Sequence, residues 1–576
     1  MNAAPLVVAC FFLLSGPADR IVRTYPAAPL RARLAPAAKP TVGPFVHPTE
    51  GDGTPADPFF GVDETPRPPL AADELQDLIR AALPSGGPDD AIVDVVGESV
   101  VVSASEAQHR VVAAVLRDLD AAVARPIPLQ VAVRLLDAPT AASLPALTPA
   151  ADAARLDADL ARAGRLVWST TVDAAAGRLA VASSLQRIPF VGDYGVDVAK
   201  KAKTSRPIEW IADAGVQIAL KAAPVADGSA IHVSALVSRS TLLELGRYVT
   251  RPLDLGTIEI PRVAEARVAS TATIPLGATL VLRAGSGEGG ETIVTLRPTG
   301  AAGPQRLGAS AGARPVAIVP MQVVTAGEGR LAPAEWGGGQ GEVTPGTPLL
   351  SSIGASGDVV IRPTASGHLV VSGDETRVAA AVASARALED GETPTYELAV
   401  RLVRAASPTA ALAPTAPTVA SCQLTASARR SAGAIFGIEE TGVTGYAAAI
   451  AEEVSIADPR VEAFFRGTAA RARVIEAAGA NARVEIEVRR HDFGPRETRV
   501  AQGPDVGDQE RIPRRLTTVL RTVEIGGGPV VLGDVGGPAG GERVQTVDLG
   551  AGPVAIGDAE GPGGERVYAV LTGRRI

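Results

Sequence analysis

Two glycine-framed stretches, five histidines and one internal cysteine are where this chain could do chemistry. "GASAG", Gly308 to Gly312, fits the G-x-S-x-G spacing that exposes a serine nucleophile on a tight strand-to-helix turn. Its flanks, "PQRL" and "ARPV", lie in a Pro/Gly stretch, so neither strand nor helix frames the serine and a linker is the better reading. "GSGEGG", Gly285 to Gly290, satisfies G-x-G-x-x-G after a strand. A phosphate cradle must open a helix whose first amides hold the anion. Here "ETIVTL" follows, which is β-like, and the stretch reads as a hairpin tip. His47, His109, His232, His368 and His491 are scattered, with no i,i+4 or cysteine neighbours to make a convergent metal set. His491 and Asp492 are adjacent, but neighbours on a strand point to opposite faces. Cys422 has no visible base beside it and reads as a small buried residue or an exposed bystander. No catalytic, cofactor-binding or metal residue is assigned, and no small-molecule substrate is evident. An enzyme without a recognisable motif is the remote alternative.

The bulk composition narrows the class. At 576 residues the chain is too long for one ordinary core. Hydrophobic residues reach 46% but aromatics only 3%, so its cores must be built from small side chains in thin β layers. The net charge of −8, with both signs interspersed, offers no basic stripe for phosphates and argues against nucleic acid. The leader "MNAAPLVVACFFLLSGPADR" carries an apolar run from Ala4 to Leu14, and Gly16 and Ala18 suit a cleavage site. A signal peptide over 1–18 is expected, with a short membrane anchor as the alternative. No later stretch reaches the apolar length of a spanning helix.

The chain repeats itself. "SVVVSASEAQHRVVAAVL" (Ser99 to Leu116) returns as "HLVVSGDETRVAAAVASA" (His368 to Ala385). In each, a β-branched run precedes a Ser with an acid three residues on, the spacing of a capping box. Ser103 with Glu106, and Ser372 with Glu375, are therefore expected helix caps. Apolar stripes follow at Val111, Val115 and Leu119, and at Val378, Val382 and Ala385. Four landmarks recur at one displacement of 252 residues: Tyr194 as Tyr446, Pro207 as Pro459, Gly215 as Gly467 and Pro261 as Pro513. A tandem duplication is the expectation. Between landmarks the period is two, as in "ARVEIEVRR", which fits either an ordinary half-buried sheet or the wall of a water-filled lumen.

The expected fold class is α+β: two copies of a small α/β unit, each followed by a mainly antiparallel β domain. A Pro/Ala-rich tether covers 19–70, the first small unit 71–125 and the first β domain 126–298. A Gly/Pro-rich linker covers 299–348, the second small unit 349–392 and the second, divergent β domain 393–576. Gly-rich segments such as "TLVLRAGSGEGGETIVTL", "PVVLGDVGGPAGGERVQTV" and "PVAIGDAEGPGGERVYAV" each read as a hairpin.

This order of parts resembles the bacterial secretin superfamily, the ring-forming outer-membrane channels of type II and III secretion and of type IV pili. The likeness is carried by "LARAGRLVWSTTVDAAAGRLAVASSLQRIPFVGDY", "GVQIALKAAPVADGSAIHVSAL" and "IEIPRVAEARVASTATIPLGATLVL", over roughly 74–298. The second half keeps "ADPRV" and "RIPRRLTTVLRTVEI". The family's pore domain normally occurs once, behind several ring domains. Here it would occur twice, each time behind one small unit, and no clear amphipathic rim helix is visible. The resemblance implies an exported, non-enzymatic protein of the periplasm or outer membrane. Its partners would be proteins or further copies of itself, with outer-membrane association open and no cofactor. A soluble periplasmic scaffold without a pore is the alternative.

Overall fold

A computed structural model describes residues 20–27, 45–46, 75–76, 79–80, 83, 91–96 and 99–300 except 125, 176–178, 200–201, 226–227, 250–255 and 287–289. It further describes 316–320, and 359–493 except 364–367, 392–393, 428–430, 452–453 and 479–480. At the C-terminal end it describes 497–499, 509–511, 514–536 except 526–527, and 566–576. The leader 1–18 and the "GASAG" segment lie outside these residues.

In chain order, β1 (Ile21–Pro26), the two-residue β2 (Phe45–Val46), β3 (Ile92–Val96) and β4 (Ser99–Ala104) lead into helix α1 (Glu106–Ala124). Strands β1, β4 and β3 form an antiparallel sheet in that order. Alternate residues Val100, Val102 and Ala104 bury against Val111, Val112 and Val115 of the helix, with Leu75 and Ile79 joining the same core. The first large module runs β5 (Pro126–Leu136), α2 (Ala138–Ala142), β6 (Leu147–Thr148), α3 (Ala153–Ala163) and β7 (Arg165–Ala175). It continues through β8 (Leu179–Ala199), β9 (Ala202–Pro224), β10 (Ala230–Val249), β11 (Thr257–Pro275), β12 (Thr279–Ser286) and β13 (Gly290–Pro298).

A second three-stranded sheet followed by a helix lies later in the chain. Strands β14 (Val316–Pro320), β15 (Val360–Pro363) and β16 (His368–Ser372) pair in the order β14-β16-β15, and α4 (Glu375–Gly391) follows. Val378 and Ala385 bury against Leu369 and Val371. The second large module begins β17 (Thr395–Ala405), α5 (Pro408–Ala411), β18 (Thr418–Ser427), β19 (Ser431–Ala451), β20 (Val454–Ala478) and β21 (Asn481–Phe493). It ends with the short β22 (Glu497–Arg499) and β23 (Gln509–Arg511), then β24 (Arg514–Ile525), β25 (Val530–Gly536) and β26 (Arg566–Arg575).

Two nine-stranded antiparallel sheets hold both modules. One runs β2-β9-β10-β11-β19-β20-β21-β24, with β8 also on β9; the other runs β25-β26-β17-β18-β12-β13-β5-β7, with β6 on β12. Their inner faces close on a single core that contains Val233 and Val484 from the first sheet and Leu282 and Leu424 from the second. Each strand contributes alternate residues, the period expected of sheets apolar on one face. "VEIEV" follows it: Val484, Ile486 and Val488 are buried in this core and Glu487 pairs with Arg489 at 2.6 Å.

Several expectations need correcting. The tether 19–70 is not structureless throughout, because its hexamer "IVRTYP" forms β1, the edge strand that completes the first small sheet. Prolines around the hexamer mask a β-branched run whose ladder partner lies some 80 residues away. The linker 299–348 likewise supplies β14 to the second small sheet. The helix caps sit elsewhere. Ser103 is a ladder residue of β4, paired with Val22 and Ile92. The reciprocal cap is Ser105 with Gln108: the Gln108 amide donates to Ser105 Oγ at 3.3 Å and the Ser105 amide to Gln108 Oε1 at 2.9 Å. Glu106 sits in the first helical turn and instead pairs with Arg23 at 2.6 Å. Ser372 ends β16, and Asp374 caps α4 by accepting from the amides of Thr376 (3.1 Å) and Arg377 (3.4 Å), with Glu375 as the first helical residue. A strand satisfies its own backbone groups, so the orphan amides lie later, where the strand has ended. Of the two C-terminal Gly-rich segments, residues 537–565 lie outside the described residues. β25, from the first, pairs with β26, from the second.

Candidate assembly site

Each large module contains one long hairpin that leaves its sheet part-way along. Strand β9 shares a ladder with β10 only from Gly215 (opposite Ser240) to Pro224, whereas its pairing with β8 continues down to Ala202. Strand β20 shares a ladder with β21 only from Gly467 (opposite His491), while its pairing with β19 continues down to Val454. The two landmark glycines therefore stand at the two forks. Gly215 has φ +144, open to glycine and strained for other residues, and a Cβ there would strike the Ser184 carbonyl oxygen. Below the forks, both hairpins carry a bulge, at Val191/Asp193 and at Val443/Gly445. Tyr194 then pairs in register with Pro207, and Tyr446 with Pro459. Both prolines fall where the strand has parted from its second neighbour, so their missing N–H breaks no ladder there.

The first arm is fastened by side chains. Tyr194 OH donates to the Thr257 carbonyl at 3.3 Å and accepts from the Thr257 amide at 3.1 Å. The Val191 amide donates to Glu259 at 3.0 Å. Phe190 and Trp210 meet edge to face at 6.0 Å and pack on Val263. These contacts fold the β8–β9 arm onto the β10–β11 hairpin.

The modules meet along a seam in both sheets. In one, β11 pairs with β19 from Arg262–Glu440 to Ala269–Gly433. Pro261 stands one residue beyond the last rung. In the other, β12 pairs with β18 from Arg283–Gln423 to Ser286–Ala420. Charged and hydroxyl groups cross it. Arg262 lies 3.5 Å from Glu440, Ser421 Oγ donates to Glu291 at 2.8 Å, and the Thr425 and Ser427 amides donate to Ser270 (3.2 Å) and Thr271 (3.0 Å). Glu265 and Arg267 form an ion pair buried in β11. Burial raises the Glu291 carboxyl, opposed by Arg283 and the Ser421 hydrogen bond, and likewise raises Asp213 against the pull of Arg187. Cys422 is fully buried in the seam, and desolvation pushes its thiol up to about 12.

The sequence landmarks thus fall on forks, arms and the seam's end, while Pro513 lies outside the described residues. Sequence reasoning missed the seam itself. Its one visible signal was "VAEARVAST", where Glu265 and Arg267 interrupt an apolar run. It also missed His109, which is buried and ties β1 down through Tyr25 OH at 2.8 Å and the Ile21 carbonyl at 2.7 Å. Among the described residues no group of three or more His, Cys, Asp or Glu could hold a metal ion. No described helix is long and apolar enough to cross a membrane, which says nothing of strands.

The chain is therefore a mainly antiparallel β protein whose modules join edge to edge. No protein-family model matches it, and neither does any curated protein. Solved secretins are among its structural neighbours. The InvG secretin-domain β-barrel of the Salmonella SPI-1 injectisome aligns at 14% identity over 46% of this chain and 88% of that one, with a TM-score of 0.25. The type II secretion system secretin GspD of E. coli K12 aligns at 9% identity over 59% and 90%, TM-score 0.22, and Aeromonas hydrophila ExeD at 10% over 97% and 90%, TM-score 0.22. At these scores the likeness is distant and carries no functional inference.

Proposed function

We propose that this chain is an exported, non-enzymatic, secretin-like protein, built by tandem duplication, that forms or supports an oligomeric assembly of the cell envelope related to protein secretion. The observation that carries this reading is the direction of the seam. Module order is β8-β9-β10-β11 then β19-β20-β21-β24 in one sheet, and β12-β13-β5-β7 beside β25-β26-β17-β18 in the other. Two like modules joined face to face would consume the same edge of each. A head-to-tail joint uses opposite edges and leaves one of each kind open, as an extending ring requires. The landmarks Tyr194, Pro207, Gly215 and Pro261 with Tyr446, Pro459 and Gly467 serve the arms and joints in this reading, and do no chemistry; Pro513 is outside the described residues.

The test is membrane fractionation of the protein expressed with its own leader, followed by an unheated denaturing gel. Heat-sensitive high-mass species in the outer membrane are expected. A monomeric, soluble periplasmic band would overturn the reading and leave a scaffold without a pore.

A further inference from the structure

Each small sheet borrows a strand from far upstream. β4 takes β1 across residues 27–91, β16 takes β14 from a segment that then runs 321–359 before β15, and both additions are antiparallel. The two borrowed strands carry the same backbone instructions. Each ends in a proline opposite the first residue of its partner, Pro26 on Ser99 and Pro320 on His368. A backbone ladder alone does not tell one such strand from the other. Tether length separates them only weakly, because closure entropy grows with the logarithm of loop length. Helix α1 of the first unit also lies against β14, so the wrong strand is within reach of the first sheet.

What differs is the rung before the proline. Tyr25 faces Val100 and Val319 faces Leu369, the second residues of β4 and β16. The helices present matching positions to these rungs. The His109 amide donates to the carbonyl of the capping residue Ser105 at 2.9 Å, as the Val378 amide donates to that of Asp374 at 2.8 Å. His109 and Val378 therefore hold the same place in the first turn, and both are buried. In the first unit the resulting pair is polar. His109 Nε2 lies 2.7 Å from the Ile21 carbonyl and must donate to it, so Nδ1 accepts from Tyr25 OH at 2.8 Å. In the second unit the pair is apolar, Val319 and Val378 sharing one core with Leu369 and Val371. Crossing the strands would fail on both sides. Val319 in the place of Tyr25 would leave the buried Nδ1 without a donor, and Tyr25 in the place of Val319 would bury a hydroxyl among valines and leucine. We infer that Tyr25–His109 and Val319–Val378 are the specificity determinants that assign each borrowed strand to its own sheet. The polar pair demands a hydroxyl and the apolar pair rejects one.

The experiment reads which strand sits on β4, in the full chain carrying Cys10→Ser. Thr24 and Val101 are ladder partners, so Thr24→Cys with Val101→Cys reports the proper strand by disulfide formation under mild oxidation. Ile318 stands two residues before Pro320, as Thr24 does before Pro26, so Ile318→Cys with Val101→Cys reports the crossed strand. Peptide mapping of the monomer band identifies the bridge. With the native pairs, the first reporter should close and the second should not. Tyr25→Val combined with Val319→Tyr should turn this preference towards the crossed strand, by about 5- to 150-fold for each buried polar group that it leaves unpaired or satisfies. Adding His109→Val and Val378→His matches each strand to its own sheet again and should restore the first reporter. That fourfold variant also controls for folding, since it carries both strand changes. A first reporter that closes as in wild type after the strand changes alone would overturn the assignment. So would failure of both reporters there, or a fourfold variant in which the first reporter stays open.

Discussion

Gly437 and Gly467 face each other across the β19–β20 hairpin, so close that a Cβ on either would lie 2.7 Å from the other's Cα. Nothing larger fits without parting the strands, because the obstruction is backbone and cannot rotate aside. The pair sits where β20 leaves β21. Backbone proximity, rather than a side-chain contact, holds the arm's root.

Gly467→Ala is therefore expected to destabilise the protein by about 1–3 kcal/mol, the usual range for overpacking. Urea unfolding followed by circular dichroism measures it. A midpoint unchanged from wild type would mean the strands separate freely at the fork.

The seam's charges should differ sharply in weight. Arg262 and Glu440 are partly solvated at 3.5 Å, so Arg262→Ala should cost at most about 1 kcal/mol. Arg267 is almost fully buried beside Glu265, and Arg267→Ala would strand a carboxylate in the core. A loss of about 3–5 kcal/mol is expected there. Equal losses from the two variants in the same denaturant series would refute this ranking.

Cys422 should stay silent in the native protein. With its thiol pushed up to about 12 and its side chain fully buried, almost no thiolate exists at pH 8 and reagent has no path to it. Ellman's reagent should report Cys422 only after unfolding. Reaction of the native Cys10→Ser chain at the rate of a free exposed thiol would show the seam to be open.

Glu291 sets a pH dependence whose sign is fixed by its raised carboxyl. A carboxyl raised on folding binds its proton more tightly in the native state. Its contribution is complete below the unfolded carboxylate value and fades as pH climbs through the raised folded value. Glu291→Gln should flatten the melting temperature over the mildly acidic range, most visibly where wild type declines. A variant that keeps the wild-type slope would assign that slope elsewhere, with Asp213 the next group to replace.

What the sequence by itself determined is local or repetitive. Period-two runs such as "ARVEIEVRR" became half-buried strands, because alternation is a property of the strand alone. The stripes at Val111, Val115, Val378 and Ala385 became helix faces packed on sheets for the same reason. The recurrence of Tyr, Pro and Gly at 252 residues marked these positions without saying what they do; that Gly215 and Gly467 stand where a strand leaves its neighbour is visible only in the ladders. The tertiary structure alone decided which strands would be neighbours. Ser103 looked like a cap because its spacing to Glu106 was right, and only the ladder to β1 and β3 removed it from the helix. "IVRTYP" looked like tether because its partner is far along the chain. Leu166 of β7 is half exposed whereas Ala420 of β18, covered by β12, is sealed. Strand edges carry the same N–H and C=O groups whatever their side chains, so pairing order leaves little trace in composition or period. It is decided when two sheets close over one core and a second module arrives to cover the edge of the first.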